Sequence, residues 1–220
     1  SRLQTKITQP VITVGGTNGK GSTCAMLEAI LGCAGYRTGL YSSPHLLRYN
    51  ERVRIAGREV EDAALAEAFA AVESARGAVP LTYFEFGTLA AFFLFSKVSL
   101  EVAILEVGLG GRLDAVNVVD ADCAVLTSIA IDHVEYLGGS REAIGKEKAG
   151  VFRSGRPAVV ADPQPPASVL QEAHRIGAPL LLLGRDFGYA AQGSQWSYWG
   201  PAGKRPGLAH PALRGAIQLR

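Results

Sequence analysis

The stretch Gly15-Gly16-Thr17-Asn18-Gly19-Lys20-Gly21-Ser22 carries four glycines and one lysine, directly behind the apolar run Val11 to Val14. Glycines let the backbone turn its N–H groups toward a common point, and a helix starting there adds its positive end. Together with a lysine charge this is a cradle for a phosphate chain. The spacing departs from the common phosphate loop, because position 14 is Val rather than Gly and Gly21 separates Lys20 from the first hydroxyl. A glycine turn that merely caps a helix needs one or two glycines, not four around a lysine. Thr17, Asn18, Gly19, Lys20, Gly21 and Ser22 are therefore candidate nucleotide-binding residues, with Thr23 beside them at the helix entrance.

Further along, Glu106 closes an apolar run, and a carboxylate at a strand end near a triphosphate is a natural magnesium ligand. The segment Leu105 to Asp114 also suggests a dinucleotide fingerprint. That reading suffers from Leu113 at the third small position and from the charge of Glu106 ahead of the glycines. His133 by itself reads as a structural histidine, and Lys146, Glu147 and Lys148 read as a solvated helix face.

These residues need a scaffold. Val11 to Val14, Arg37 to Tyr41, Val102 to Val107, Ala124 to Ser128, Ala158 to Ala161 and Leu180 to Leu183 are short apolar runs and predict strands. Between them lie helical patterns. After the glycine loop, Leu27, Ile30, Leu31 and Ala34 are expected on one buried face, with Gly35 as the C-terminal cap. Asp62 to Arg76, Tyr83 to Lys97 and Ser140 to Val151 follow as helices, the second buried on most sides. Glu51 to Val60 reads as a two-stranded element turning at Ala56-Gly57. Pro163 to Pro166 breaks the pattern. The fold class is thus α/β, a mostly parallel doubly wound sheet with a phosphate-loop nucleotide site. Beyond Gly184 the composition turns to Gly, Pro, Tyr and Trp, which predicts a small antiparallel β extension. In such sheets ligands gather beyond the carboxyl ends of the strands, where the glycine loop, Ser42-Ser43, Glu106 and Asp132-His133 all fall.

Composition narrows the function. The chain has 220 residues, 48% of them hydrophobic, and a formal net charge of +2 with basic residues scattered, which argues against a nucleic-acid surface. Leu89 to Phe95 is the longest apolar run and is too short to span a bilayer. Cys24, Cys33 and Cys123 are an odd number of cysteines in apolar stretches that read as buried, so a reduced cytoplasmic protein is expected.

Several segments, in order and evenly spaced, closely resemble the ATPase domain of the folylpolyglutamate synthase family, within the Mur ligase superfamily. They are Gly16 to Ser22, Tyr41 to Leu46, Glu51 to Arg54, Leu105 to Asn117, Thr127 to His133 and Ile144 to Gly150. Thr82-Tyr83-Phe84-Glu85 and Leu113-Asp114-Ala115 resemble dihydropteroate-contacting segments of the bacterial members that are also dihydrofolate synthases. The resemblance implies an ATP-dependent ligase that joins dihydropteroate or a folate to L-glutamate through an acyl phosphate. It implies Lys20, Lys148 and His133 as catalytic residues, and a magnesium ion held by Ser43 and Glu106. A second magnesium would be supported by His133 and by Lys148, which is carbamylated in the family. Whether a monovalent cation assists stays open. Residues 1–184 are expected to form the ATP-binding domain and 185–220 a small connector. The family's C-terminal glutamate-binding domain has no counterpart here, so a longer natural chain is expected, as a monomer without nucleic-acid or membrane partners. The alternative for Tyr83 and Phe84 is simple helix core. Competing classes are a related Mur-type amino-acid ligase acting on a cell-wall precursor, and an ATP-binding fragment without full catalysis.

Overall fold

The computed structural model describes residues 2, 3 and 5–211; residues 1 and 4 of the expected ATP-binding domain and 212–220 of the expected extension lie outside the described residues. In chain order the strands are β1 (Val11–Gly15), β2 (Thr38–Tyr41), β3 (Val53–Ile55), β4 (Arg58–Glu59), β5 (Val102–Glu106), β6 (Cys123–Leu126), β7 (Ala158–Val160), β8 (Leu180–Leu182), β9 (Gly188–Gln192), β10 (Gln195–Gly200) and β11 (Gly203–Ala209). The helices are α1 (Lys20–Cys33), α2 (Asp62–Arg76), α3 (Tyr83–Ser96), α4 (Val134–Leu137), α5 (Arg141–Ala149) and α6 (Ala167–Ile176).

The first eight strands form one sheet in the order β4-β3-β2-β5-β1-β6-β7-β8. Six of them, from β2 to β8 in that order, run parallel, and the β3–β4 hairpin adds an antiparallel edge. The remaining three form the separate antiparallel sheet β11-β10-β9. The expected α/β class, doubly wound sheet and antiparallel extension are all present.

Parallel strands need both faces covered. On one face α1 packs Cys24 over Val14, Leu40 and Ile104, all buried. A larger cluster includes Leu105 and Leu126 from the sheet, Phe92 and Phe95 from α3, Ile144 from α5 and Val169 from α6. Two sequence expectations need correction. Ile30 is 65% exposed and Ala34 is exposed too, because the buried face of α1 runs through Cys24 and Glu28, with Leu27 and Leu31 half-buried beside it. Glu28 escapes recognition as a buried position because its charge is matched from β3, by Arg54 Nε at 2.9 Å. Cys33 is exposed, whereas Cys24 is buried and Cys123 half-buried. Gly35, with φ 93°, terminates α1 as expected, Tyr36 N–H returning to Leu31 O at 3.0 Å.

Strand register brings the chemistry to one edge. Val14 lies opposite Glu106, Tyr41 opposite Leu105, and Gly15 opposite Leu126, so the segments that follow β1, β2, β5 and β6 leave the sheet together. The chain winds toward β2 after β1 and toward β8 after β6. Such a reversal opens a crevice beside the central strand.

Candidate active site

The glycine loop connects β1 to α1 at this crevice. Gly19 has φ 85° and occupies the N-cap of α1, a left-handed conformation that favours glycine. Gly16 has φ 141°, and a Cβ there would overlap the Thr127 hydroxyl. The first turn of α1 contains no acidic residue, so its positive end is unopposed within the helix. Among the described residues, Ser22 Oγ makes no hydrogen bond, while Thr23 Oγ1 folds back onto Gly19 O at 2.8 Å.

Lys20 and Lys148 converge on one acceptor. Gly16 O receives Lys148 Nζ at 2.8 Å and Lys20 Nζ at 3.2 Å, and Lys20 also reaches Thr17 O at 3.3 Å. Lys148 is 4% exposed. Burial, reinforced by the nearby Lys20 charge and opposed by Asp132, pushes its amine down to about 8. The two lysines line a narrow cleft with Gly16, Gly108, Asp132 and His133. Lys20, Lys148 and His133, which lie far apart in sequence, thus line one cleft. α5 begins at the Ser140 cap, Ser140 Oγ accepting Ala143 N–H at 3.2 Å, and it delivers Lys148 from its last turn.

Glu106, at the end of β5, is 3% exposed. Its Oε2 accepts the Ser43 N–H at 3.0 Å, and a Cβ on Gly21 would stand 3.8 Å from its Oε1. Burial raises its carboxyl above the usual range, with Ser43 N–H, Lys20 and Arg52 acting in the opposite direction. Oε1 makes no hydrogen bond among the described residues, so this oxygen retains its coordinating capacity. Among those residues no three His, Cys, Asp or Glu side chains gather as a metal cage. The candidate donors are instead the Glu106 carboxylate beside Ser43 and a separate His133, and a sparse set of this kind is compatible with magnesium, which takes carboxylate oxygen and keeps waters and phosphate oxygens in its shell.

The residues assigned to the acceptor substrate divide into two kinds. Thr82 and Glu85 form a capping box at the start of α3: Thr82 Oγ1 accepts Glu85 N–H at 3.2 Å and Glu85 Oε2 accepts Thr82 N–H at 2.7 Å. Asp114 likewise serves the backbone, accepting Leu109 N–H at 2.9 Å and Val116 N–H at 3.0 Å. These side chains shape the rim. Phe84 fills the space left by Gly108 and stacks near Tyr41 at 5.8 Å between ring centroids, so it is partly core. Tyr83 and Leu113 are exposed, and Ala115 opens the short 3-10 turn that Asp114 caps.

Sequence reasoning did not single out the environment of Arg52. Its guanidinium is buried, lies 5.4 Å from the centroids of both Tyr49 and Tyr83, and donates from Nε to His45 Nδ1 at 2.8 Å. It makes no ion pair among the described residues. Nothing in an alternating strand pattern marks this arginine as buried; only the aromatic residues closing over it do. Glu51 is a second organiser, receiving the N–H groups of Leu46, Leu47 and Arg48 at 2.7, 2.8 and 2.7 Å. It holds Leu46 and Leu47 out toward solvent at the same rim.

A glycine loop at the head of the central strand, a buried carboxylate on the neighbouring strand and two converging amines make this crevice of the α/β domain a candidate nucleotide site. Residues 14–186 match the Mur ligase middle domain, and the chain belongs to that family. It is 53% identical over 203 residues to the dihydrofolate synthase/folylpolyglutamate synthase of Escherichia coli (strain K12), covering 92% of this chain and 48% of that protein. Its structure resembles that of Escherichia coli FolC in complex with DHPP and ADP, with a TM-score of 0.95 and 50% identity over 99% of this chain and 53% of that one. It also resembles a bifunctional folylpolyglutamate synthase/dihydrofolate synthase with Mn, AMPPNP and L-glutamate bound, with a TM-score of 0.89 and 51% identity over 96% of this chain and 51% of that one. The chain thus spans about half the length of the curated relatives it matches.

Proposed function

We propose that this chain is the ATP-binding part of a cytoplasmic, monomeric ligase that joins L-glutamate to dihydropteroate and to folates. The observation that carries this reading is the convergence of Lys20 and Lys148 on Gly16 O, within the cleft that also holds His133. The relatives whose names and complexes include folate synthesis, ADP, AMPPNP and glutamate support the choice of substrates. Residues 1–184 act as the nucleotide unit and 185–220 as the connector. The scattered basic residues offer no stripe for a nucleic acid, and no described helix is long and apolar enough to cross a bilayer.

The chemistry must overcome repulsion between a substrate carboxylate and a triphosphate. A carboxylate oxygen attacks the γ-phosphorus, ADP leaves, and the resulting acyl phosphate is attacked by the glutamate amine with loss of phosphate. This chain's contribution is charge neutralisation and alignment. The N–H groups from Gly19 to Ser22 receive phosphate oxygens, and Lys20 leaves its carbonyl partners to follow the transferring group. Ser43 and Glu106 would hold one magnesium, and His133 together with a carbamylated Lys148 a second. When bound, magnesium neutralises phosphate charge. Buried and pushed down to about 8, the Lys148 amine is far richer in its neutral, CO2-reactive form near neutral pH than an ordinary lysine. Tyr83, Phe84, Leu113 and the capped segments at Thr82-Glu85 and Asp114-Ala115 form the wall for the acceptor.

The deciding experiment measures ADP release by the complete protein carrying this chain. Release should require dihydropteroate or a folate together with L-glutamate. Release driven instead by a nucleotide-sugar acid would make it a cell-wall ligase. MgATP binding with no turnover under any of these conditions would reduce it to a nucleotide-binding module.

A further inference from the structure

A second loop grips the phosphate loop from the side, and its own peptide is gripped in turn. Thr17 N–H donates to Ser128 O at 2.7 Å, and Asn18 N–H to Ser128 Oγ at 3.1 Å. Thr127 Oγ1 and Ser128 Oγ donate to Asn18 O at 2.6 and 3.1 Å. The Thr17 hydroxyl donates to Ala130 O at 3.2 Å and accepts Ala130 N–H at 3.1 Å, so both of its hydrogen-bonding roles are taken within the protein.

Between Ser128 and Ala130 sits Ile129, whose side chain is buried. Asp162 Oδ2 accepts its N–H at 2.8 Å, and Arg141 Nε donates to its carbonyl at 2.8 Å. Asp162 is 6% exposed, pairs with Arg141 at 3.0 Å, and is steadied through Oδ1 by Gln164 N–H at 2.9 Å. A residue whose N–H and C=O are each held by one member of a charged pair has both flanking peptides fixed in orientation, since hydrogen bonds to charged groups are about twice as strong as neutral ones.

Resting on the nucleotide site proposed above, we infer that Asp162 and Arg141 are positioning residues for the phosphate loop, acting through the Ile129 peptide and the Thr17 latch. On this account Thr17 does not contact phosphate through its hydroxyl. It holds the loop in the conformation that points the following N–H groups at the nucleotide. The geometry also makes α5 a strut with two ends on the loop, Arg141 reaching it through Ile129 and Lys148 reaching Gly16 O directly.

The test is calorimetric titration of the complete protein with MgADP. Asp162→Asn leaves one of two N–H groups without an acceptor, and Thr17→Val removes the latch; each should weaken MgADP binding about tenfold, the equivalent of one lost hydrogen bond to a preorganised loop. Thr17→Ser keeps the hydroxyl and should bind MgADP more tightly than Thr17→Val. Because both changes loosen one link, the double variant should bind no more weakly than the weaker single one. Wild-type affinity in a folded Asp162→Asn, or losses that add in the double variant, would overturn the clamp alone. Should Asp162→Asn not fold, the Thr17 pair decides, equal affinities for Thr17→Val and Thr17→Ser sinking the idea. A wild type that takes up no MgADP would overturn the nucleotide site itself, and the clamp with it.

Discussion

Lys20 and Lys148 share the Gly16 carbonyl, and the roles proposed for them separate on substitution. On the proposed reading Lys20 serves both binding and phosphoryl transfer, so in Lys20→Ala nucleotide affinity and turnover should fall together. Lys148→Ala should retain nucleotide binding and lose turnover, and acetate or formate should restore part of it by supplying the missing carboxylate. Unassisted turnover at the wild-type rate would disprove the carbamate role. Glu106→Gln should chiefly raise the magnesium concentration needed for half-maximal ADP release. Glu51 offers a test by pH. Three backbone N–H groups, those of Leu46, Arg48 and Leu47 in order of weight, hold its carboxyl down to about 2 from an ordinary 4.5. As pH falls the unfolded chain takes up this proton first, so the stabilisation is complete above about 4.5 and disappears on the way to about 2. Thermal midpoints of the wild type and Glu51→Gln should therefore differ at neutral pH and converge across that window. A constant difference would mean that the carboxylate does not hold the loop.

At the scale of elements, the site depends on the tight junction of the β1–α1 loop with the segment after β6. Gly16→Ala would place a methyl group on the Thr127 hydroxyl in a backbone conformation that alanine rarely adopts. Strain on the order of 1–3 kcal/mol is expected there. Nucleotide affinity should fall steeply while circular dichroism keeps the native α/β signature; undiminished MgADP binding would show that the loop tolerates reshaping. The central strands have a different role. Ile104 of β5 is fully buried between α1 and the sheet, so Ile104→Ala should cost about 2–5 kcal/mol in chemical denaturation.

Across the whole molecule the two sheets differ in how their backbones are protected. The parallel sheet buries Val14, Leu40, Ile104, Leu105 and Leu126, whereas β9, β10 and β11 consist mostly of exposed or half-buried residues. Local opening is easier where little apolar surface is lost. Amide exchange should therefore be fast throughout β9–β11 and slowest in β1 and β5. Equal protection in both sheets would indicate that the extension belongs to the same cooperative unit as the core.

Much of this was written in local pattern. The glycine loop, the alternation of apolar runs with helical periods and the change of composition after Gly184 specify their elements through neighbours a few residues apart, so the sequence alone determined the fold class, the phosphate cradle and the candidate chemistry of Lys20, Glu106 and Lys148. It could not show that Ile30 faces solvent while Glu28 is buried, that Arg52 packs beside a pair of tyrosines, or that Asp162 grips Ile129. Those facts depend on pairings across long sequence separations. A buried charge is tolerable only when partners from distant segments desolvate it and satisfy it together, and that arrangement comes into existence only when the strands are laid side by side.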